Sequence, residues 1–87
     1  VDPDITIPEL RTVIEYDGAH WHHGTANHQR DIEKSASLLS AGWKVIRVRE
    51  PGLTPLSMKR RGFRQWSMRD NTTSQELVRE VLRLIGQ

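Results

Sequence analysis

The chain has 87 residues, of which 36% are hydrophobic and 28% are charged. This length and balance predict a single domain with a modest core, and no apolar run approaches the ~20 residues of a transmembrane helix, so we expect no membrane partner. The absence of cysteine excludes disulfides and thiolate-bound zinc, and it favours a reducing, cytoplasmic location. Because the chain starts at Val1 rather than Met, we expect residues 1–87 to be one domain of a longer protein.

The net charge of +2 does not by itself indicate a nucleic-acid partner, but the basic residues are unevenly distributed. Five of the 13 Lys and Arg residues fall within residues 57–70, against one acid, Asp70. A local basic patch is the electrostatic footprint expected of phosphate binding. A solvated surface stretch explains the same run equally well.

The first elements form a predicted hairpin. Asp4 opens an alternating strand over residues 5–7, Pro8 and the following residue mark a turn, and a second strand runs over residues 10–17. Asp4 and Glu15 then fall roughly opposite each other. Glu15 and Asp17 are two residues apart, so their carboxylates share one face of the strand.

Residues 18–29 are predicted to form a long polar loop with four histidines, and such loops are often functional. A helix follows from about residue 29 to 41, with Gly42 in the position that ends it. Residues 43–49 then have apolar side chains in both alternating sets, which predicts an interior strand parallel to the one ending at Asp17. The resulting strand–helix–strand unit favours a right-handed crossover.

The sequence pattern after residue 50 is less regular. Residues 51–58 are predicted loop, and residues 59–70 fit either a short edge strand or an irregular arm. Thr73 and Glu76 have the spacing of a capping box, which predicts the start of the last helix. Its apolar stripe predicts a packing helix and consists of Leu77, Val78, Val81, Leu82 and Ile85.

Two carboxylates at the end of a strand, with His22 five residues after Asp17, are the parts of a divalent-metal site with a base beside it. The neighbouring histidines, His20, His23 and His28, also fit a zinc or copper site. We favour solvated loop histidines for these three, because no cysteine anchors a zinc site, and we expect no structural zinc.

Taken in order, several segments resemble the very-short-patch-repair-like endonucleases, a branch of the PD-(D/E)XK restriction-endonuclease-like superfamily. The resemblance covers residues 3–50, and its ordered set is more specific than any one piece. The matching segments are Pro3-Asp4, Glu15-Tyr16-Asp17-Gly18, Trp21-His22, Arg30-Asp31, and residues 42–48 with Glu50.

The resemblance implies an α/β (α+β) fold of the restriction-endonuclease type. Its core here would be a β-hairpin, a crossover helix and a further strand, followed by the C-terminal helix. A helix, and often another strand, precedes Pro3 in relatives of this group. We therefore expect the N-terminal part of that fold to lie outside this sequence.

The activity that the resemblance implies is Mg²⁺-dependent hydrolysis of DNA phosphodiester bonds, with Mn²⁺ as a substitute. Asp4, Glu15 and Asp17 would be the metal ligands, and Asp17 stands where the superfamily usually has a lysine. His22 would be the general base and Asp31 the acid that supports it. All five would be catalytic residues.

DNA is therefore the expected partner, alongside a homodimer or further domains of the parent protein. The side chains expected to contact DNA combine an aromatic residue, two cations near the helix and the basic run. They are Trp21, Arg30, Lys34, Lys59, Arg60, Arg61 and Arg64.

Two other functions remain open from sequence. One is a ββα-metal (HNH-like) nuclease in which His22 or His23 activates water and Asn27 assists, although a central strand over residues 43–49 speaks against it. The other is a non-catalytic module that residues 59–69 hold on DNA.

Overall fold

The computed structural model describes residues 4–22 and 24–87, without the side chains of Asp4, Trp21 and His22. In this part of the chain a mixed sheet has the strand order β1-β2-β3-β4. The strands are β1 Asp4–Ile7, β2 Thr12–Asp17, β3 Lys44–Arg49 and β4 Phe63–Ser67. The helices are α1 Ala19–His22, α2 Thr25–Ser40 and α3 Ser74–Ile85. The fold is mixed α/β, as the sequence predicts.

The predicted hairpin is present, with β1 antiparallel to β2 and Asp4 directly opposite Glu15. The prediction that the second strand begins at residue 10 is wrong by two residues. Pro8–Leu10 forms a 3₁₀ turn, and Arg11 then takes a left-handed conformation with φ 47°. Because this turn uses residues 8–11 to reverse the chain, β2 begins only at Thr12.

The parallel pairing of β2 with β3 through helix α2 is also as predicted. Its register places Glu15 beside Arg47 and Asp17 beside Arg49. Gly42 follows the end of α2 with φ 95°, the left-handed conformation that glycine adopts without a steric penalty. The open question over residues 59–70 is resolved in favour of an edge strand, because β4 pairs parallel to β3.

The predicted loop over residues 18–29 is wrong. Residues 19–22 form the short helix α1, and α2 begins at Thr25. The residue before α2 is Gly24, and among the described residues no side chain caps the first turn, so the usual sequence signal of a helix start is missing. The face of α2 that packs on the sheet also contains the buried polar residues Asp31 and Ser35, which weakens its hydrophobic period.

Helices cover both faces of the sheet. On one face α2 packs on a cluster formed by Val45 and Phe63 of the sheet and Leu56 of the loop after β3. On the other face α3 packs through Leu84 on Ile14 and Ile46. Coverage on both sides explains why β3 is apolar in both alternating sets. None of the described helices has the length and apolar character needed to cross a membrane.

The capping box at the start of α3 is confirmed, since the Glu76 amide donates to Thr73 Oγ1 at 3.1 Å and the Thr73 amide donates to Glu76 Oε1 at 3.1 Å. We expect Thr73→Ala to lower the free energy of unfolding by about 1 kcal/mol, because an orphan amide of the first turn loses its acceptor. Urea unfolding measures this change, and Ser74→Ala, one residue inside the helix, is the control. Equal stabilities of the two variants would contradict the assigned cap.

Candidate functional site

Six charged side chains meet where β2 and β3 face helix α2. We call this set the charge cluster: Glu15, Asp17, Asp31, Lys34, Arg47 and Arg49. The strands bring the acids and the arginines together, because the parallel register sets Glu15 beside Arg47 and Asp17 beside Arg49 on one face. Three carboxylates and three cations give the cluster a formal net charge of zero, as a cluster shielded from water requires.

Asp17 is the centre of the charge cluster and is 0% exposed. Its Oδ1 accepts a hydrogen bond from Arg47 Nη1 at 2.7 Å, and its Oδ2 accepts one from Arg49 Nη1 at 2.7 Å. Charge-assisted hydrogen bonds of this length are among the stronger polar interactions in proteins. Each oxygen of Asp17 is therefore already engaged by an arginine.

The two arginines are held by groups outside the sheet as well. Arg47 Nε donates to the buried hydroxyl of Ser35 on α2 at 2.7 Å. Arg49 Nη2 donates to the carbonyl of Thr54, in the loop after β3, at 3.1 Å. Asp31, also on α2, places its carboxylate oxygens 3.8 Å from Arg47 Nη1 and 3.5 Å from Arg49 Nη1. These contacts fix α2 and the loop relative to the strands.

Glu15 lies at the boundary between the charge cluster and solvent. The residue is 1% exposed, but its Oε1 is 2.8 Å from the ammonium of Lys34, whose side chain is 48% exposed. Arg47 Nη2 lies 3.6 Å from the same oxygen. Lys34 thus connects a buried carboxylate to the surface, beside the position that the hairpin register gives to Asp4.

Glu50, the residue after β3, anchors helix α1 to the end of that strand. Its Oε1 accepts from the amide of Ala19 at 2.8 Å, and its Oε2 accepts from the Tyr16 hydroxyl at 2.7 Å. These two hydrogen bonds hold the pKa of Glu50 below its usual range. Burial, and then the Glu50 carboxylate, raise the pKa of Tyr16 to about 12. The backbone of His22, at the end of α1, is positioned by this contact.

The basic residues at the start of β4 form a group separate from the charge cluster. Four cations line a groove of about 530 Å³ at the amino-terminal end of β4, namely Lys59, Arg60, Arg61 and Arg64. Glu15 and Asp17 lie toward the opposite, carboxyl end of the parallel strands. Arg30 is exposed on α2 and donates to Asn27 Oδ1 at 3.2 Å. The structure therefore brings these four basic residues together but not to the acids.

Of the three expected metal ligands, the structure describes the side chains of Glu15 and Asp17 but not that of Asp4. Within the described part of the chain, no three His, Cys, Asp or Glu side chains converge into a metal-binding group. Glu15 and Asp17 share a face, as predicted, and both contact Arg47. The side chains of Asp4, Trp21 and His22 lie outside the described part of the chain, and so does His23.

The sequence pattern does not predict the burial of two arginines. It predicts only a strand for Arg47 and Arg49, because charged residues are rarely fully buried. A signal was nevertheless present: Arg-x-Arg in β3 has the same spacing as Glu-x-Asp in β2. Two such pairs on adjacent parallel strands, in register, neutralise each other on one face.

Comparisons with known proteins leave the family open. The chain is 34% identical over 55 residues to the uncharacterized proteins MT2308 and Rv2248 of Mycobacterium tuberculosis, strains CDC 1551 / Oshkosh and ATCC 25618 / H37Rv. Each match covers 56% of this chain and 20% of the relative, so the chain spans about a fifth of the curated relatives it matches. No family model and no solved structure matches the chain.

The charge cluster predicts a severe effect of Asp17→Asn. Both arginines would keep their charge in a buried site while losing the carboxylate between them, and breaking such a pair costs about 3–5 kcal/mol. Urea unfolding followed by circular dichroism measures the loss, and a variant that does not fold at all gives the same answer. The control is Asp70→Asn at an exposed turn. A difference between the two variants below about 1 kcal/mol would contradict this role for Asp17.

The Glu50 contacts predict a pH-dependent contribution to stability. Because folding lowers the pKa of Glu50 from 4.5, its contribution is present above that pH and is lost as the pH falls through the folded-state value. The unfolding free energies of the wild-type chain and Glu50→Gln should therefore converge as the pH is lowered below 4.5. Glu9→Gln, in the exposed turn before β2, controls for removal of a carboxylate alone. A constant difference across the pH series would refute the assignment.

Proposed function

We propose that this chain is the catalytic domain of a Mg²⁺-dependent endonuclease that hydrolyses phosphodiester bonds in DNA. One arrangement carries the proposal. Asp4 and Glu15 are direct partners on adjacent strands, and the Lys34 ammonium lies 2.8 Å from the Glu15 carboxylate. Two acids with a solvent-accessible cation beside them suit a metal ion and the phosphate that it would bind. The resemblance of residues 3–50 to very-short-patch-repair-like endonucleases supports the same reaction.

The donor set fits Mg²⁺ if Asp17 is left out of it. Mg²⁺ takes oxygen ligands, keeps several waters and is commonly bound by one or two carboxylates, which Asp4 and Glu15 would supply. Asp17 would have to release an arginine at 2.7 Å to join them, so we assign Asp17 the role of holding Arg47 and Arg49. When bound, Mg²⁺ or Mn²⁺ would polarise the phosphoryl oxygens and lower the pKa of a bound water.

The remaining residues have roles that follow from their places. Lys34 would pair with a non-bridging phosphate oxygen, since half of its side chain is open to solvent. His22 would accept the proton of the attacking water, as the resemblance implies, and the hydrogen bond from Ala19 to Glu50 anchors the helix that bears it. Asp31, which lies against the arginines, would support His22 from α2.

The basic groove at the start of β4 would bind DNA away from the reacting phosphate. Two strand spacings, about 10 Å, separate β2 from β4. A duplex carries one charge per ~1.7 Å of its axis, so several phosphates fall within that span. The groove would therefore contribute affinity and its salt dependence, whereas Asp4, Glu15 and Lys34 would act on the scissile phosphate.

Cleavage of supercoiled plasmid in Mg²⁺ or Mn²⁺ tests the proposal. We expect the wild-type chain to cleave, EDTA to abolish cleavage, and Asp4→Asn, Glu15→Gln and His22→Ala each to slow it by about 100-fold or more. Glu33→Gln removes an exposed carboxylate from the same helix as Lys34 and is the matched control, with unchanged activity expected. Circular dichroism of each variant separates loss of chemistry from loss of fold.

Two outcomes would overturn the proposal. Cleavage that survives Asp4→Asn and Glu15→Gln but is lost in His23→Ala would assign the chain to the ββα-metal nucleases. Absence of cleavage with every metal, together with DNA binding that needs neither Mg²⁺ nor Asp4, would identify a binding module. In that case the affinity should depend on salt and should fall when Arg60 and Arg61 are replaced by alanine.

A further inference from the structure

Six cations gather at the amino-terminal ends of strands β2, β3 and β4. Four of them line the basic groove. The other two extend the positive charge across the sheet, because Arg11 precedes β2 and Lys44 begins β3. We call this surface the basic edge: Arg11, Lys44, Lys59, Arg60, Arg61 and Arg64.

Backbone hydrogen bonds between the three strands make the basic edge continuous. The Lys44 amide donates to the Arg11 carbonyl at 2.7 Å, and the Val45 amide donates to the Gly62 carbonyl at 2.9 Å. Arg61 directly precedes Gly62. The segments that carry Arg11, Lys44 and Arg61 therefore lie side by side, each about 4.8 Å from the next.

The cations of the basic edge are not neutralised within the described part of the chain. All six are exposed, and none of them forms an ion pair with a carboxylate that the structure describes. Glu9 is the only acid in the three segments that contribute them, residues 8–11, 42–44 and 58–64. The net charge of the whole chain is +2, so the basic edge carries more positive charge than the molecule as a whole. Such a concentration of cations is the electrostatic footprint of polyanion binding.

Arg11 provides an independent indication of a ligand at the basic edge. Its φ of 47° and ψ of 47° are left-handed, and among the described residues it is the one non-glycine residue with a positive φ. A glycine would take this conformation without steric cost, so the turn itself does not require an arginine. Strained residues of this kind cluster at functional positions. The guanidinium carbon of Arg11 lies 6.0 Å from the centre of the Trp43 ring, within the range of a cation–π contact.

We infer that the basic edge binds an unpaired strand of DNA in preference to a duplex. Unpaired bases stack on arginine guanidinium planes, and Arg11 is exposed above Trp43, where a base can reach it. In a duplex both faces of each base are covered by its neighbours, so a duplex gains only the phosphate contacts. The other five cations follow the phosphates, as in grooves that track a single strand. The inference deepens the proposed function and rests on it for the identity of the polyanion as DNA.

Fluorescence anisotropy with a labelled oligothymidine, and with a duplex of the same length, tests the inference. EDTA removes the metal, so that no substrate is cleaved during the measurement. We expect the single strand to bind the wild-type chain more tightly than the duplex does. Arg11→Lys keeps the charge but removes the planar guanidinium, so it should weaken single-strand binding by about fivefold or more and leave duplex binding unchanged.

Lys44→Ala and Arg79→Ala form a matched pair, since each removes one exposed cation. Lys44→Ala should weaken the binding of both DNA forms, and for the single strand it should lower the slope of log affinity against log salt by about 0.7. Arg79→Ala lies on α3, outside the basic edge, and should bind both forms as the wild-type chain does. Circular dichroism checks that each variant is folded.

Three results would each overturn the inference. They are duplex binding as tight as single-strand binding, unchanged single-strand affinity in Arg11→Lys, and equal losses in Lys44→Ala and Arg79→Ala. The last result would mean that only the overall charge attracts DNA. Failure of plasmid cleavage, with the single-strand preference present and lost in Arg11→Lys, would remove the proposed function alone.

Discussion

The carboxylate of Asp17, shared by two buried arginines, is the constraint on which the rest of the structure depends. Arg47 and Arg49 lie in the carboxyl-terminal half of an interior strand, and an uncompensated charge buried there would be very costly. Asp17 compensates both at 2.7 Å, while Ser35 accepts a further hydrogen bond from Arg47 and the Thr54 carbonyl accepts one from Arg49. Strand β2, strand β3, helix α2 and the loop after β3 are therefore joined by one polar network. Their relative positions determine where every candidate functional residue lies.

This network separates the acids of the Glu-x-Asp segment, although both lie on one face of β2. Asp17 points into the arginines and is enclosed by them, whereas Glu15 pairs with Lys34 at the edge of helix α2. In the superfamily that the sequence resembles, a lysine usually stands at the place of Asp17. Here the cation beside the remaining acid comes from the helix. Under the proposed function, the cation beside the metal ligands would therefore come from helix α2 rather than from β2.

The two ends of the parallel strands carry different chemistry. Helix α1 and the start of helix α2 lie at the carboxyl end, and Glu50 anchors α1 to the end of β3. The amino-terminal end of β4 carries the basic groove. Strands β2 and β4 lie about 10 Å apart across the sheet, so under the proposed function the acids and the groove would contact different phosphates of one extended polyanion. This division follows from the parallel register rather than from any single motif.

Local patterns in the sequence determined the hairpin, the interior strand, the glycine that follows α2 and the capping box at Thr73, because each depends on residues a few positions apart. The opposition of Asp4 and Glu15 follows from the same hairpin. Tertiary structure decided the rest. Helix α2 starts at Thr25 without a cap signal. Its buried face contains the polar residue Ser35 because that hydroxyl accepts a hydrogen bond from Arg47 of β3. Likewise, only the parallel pairing of strands distant in sequence joins Asp17 to Arg49 and makes β4 an edge strand.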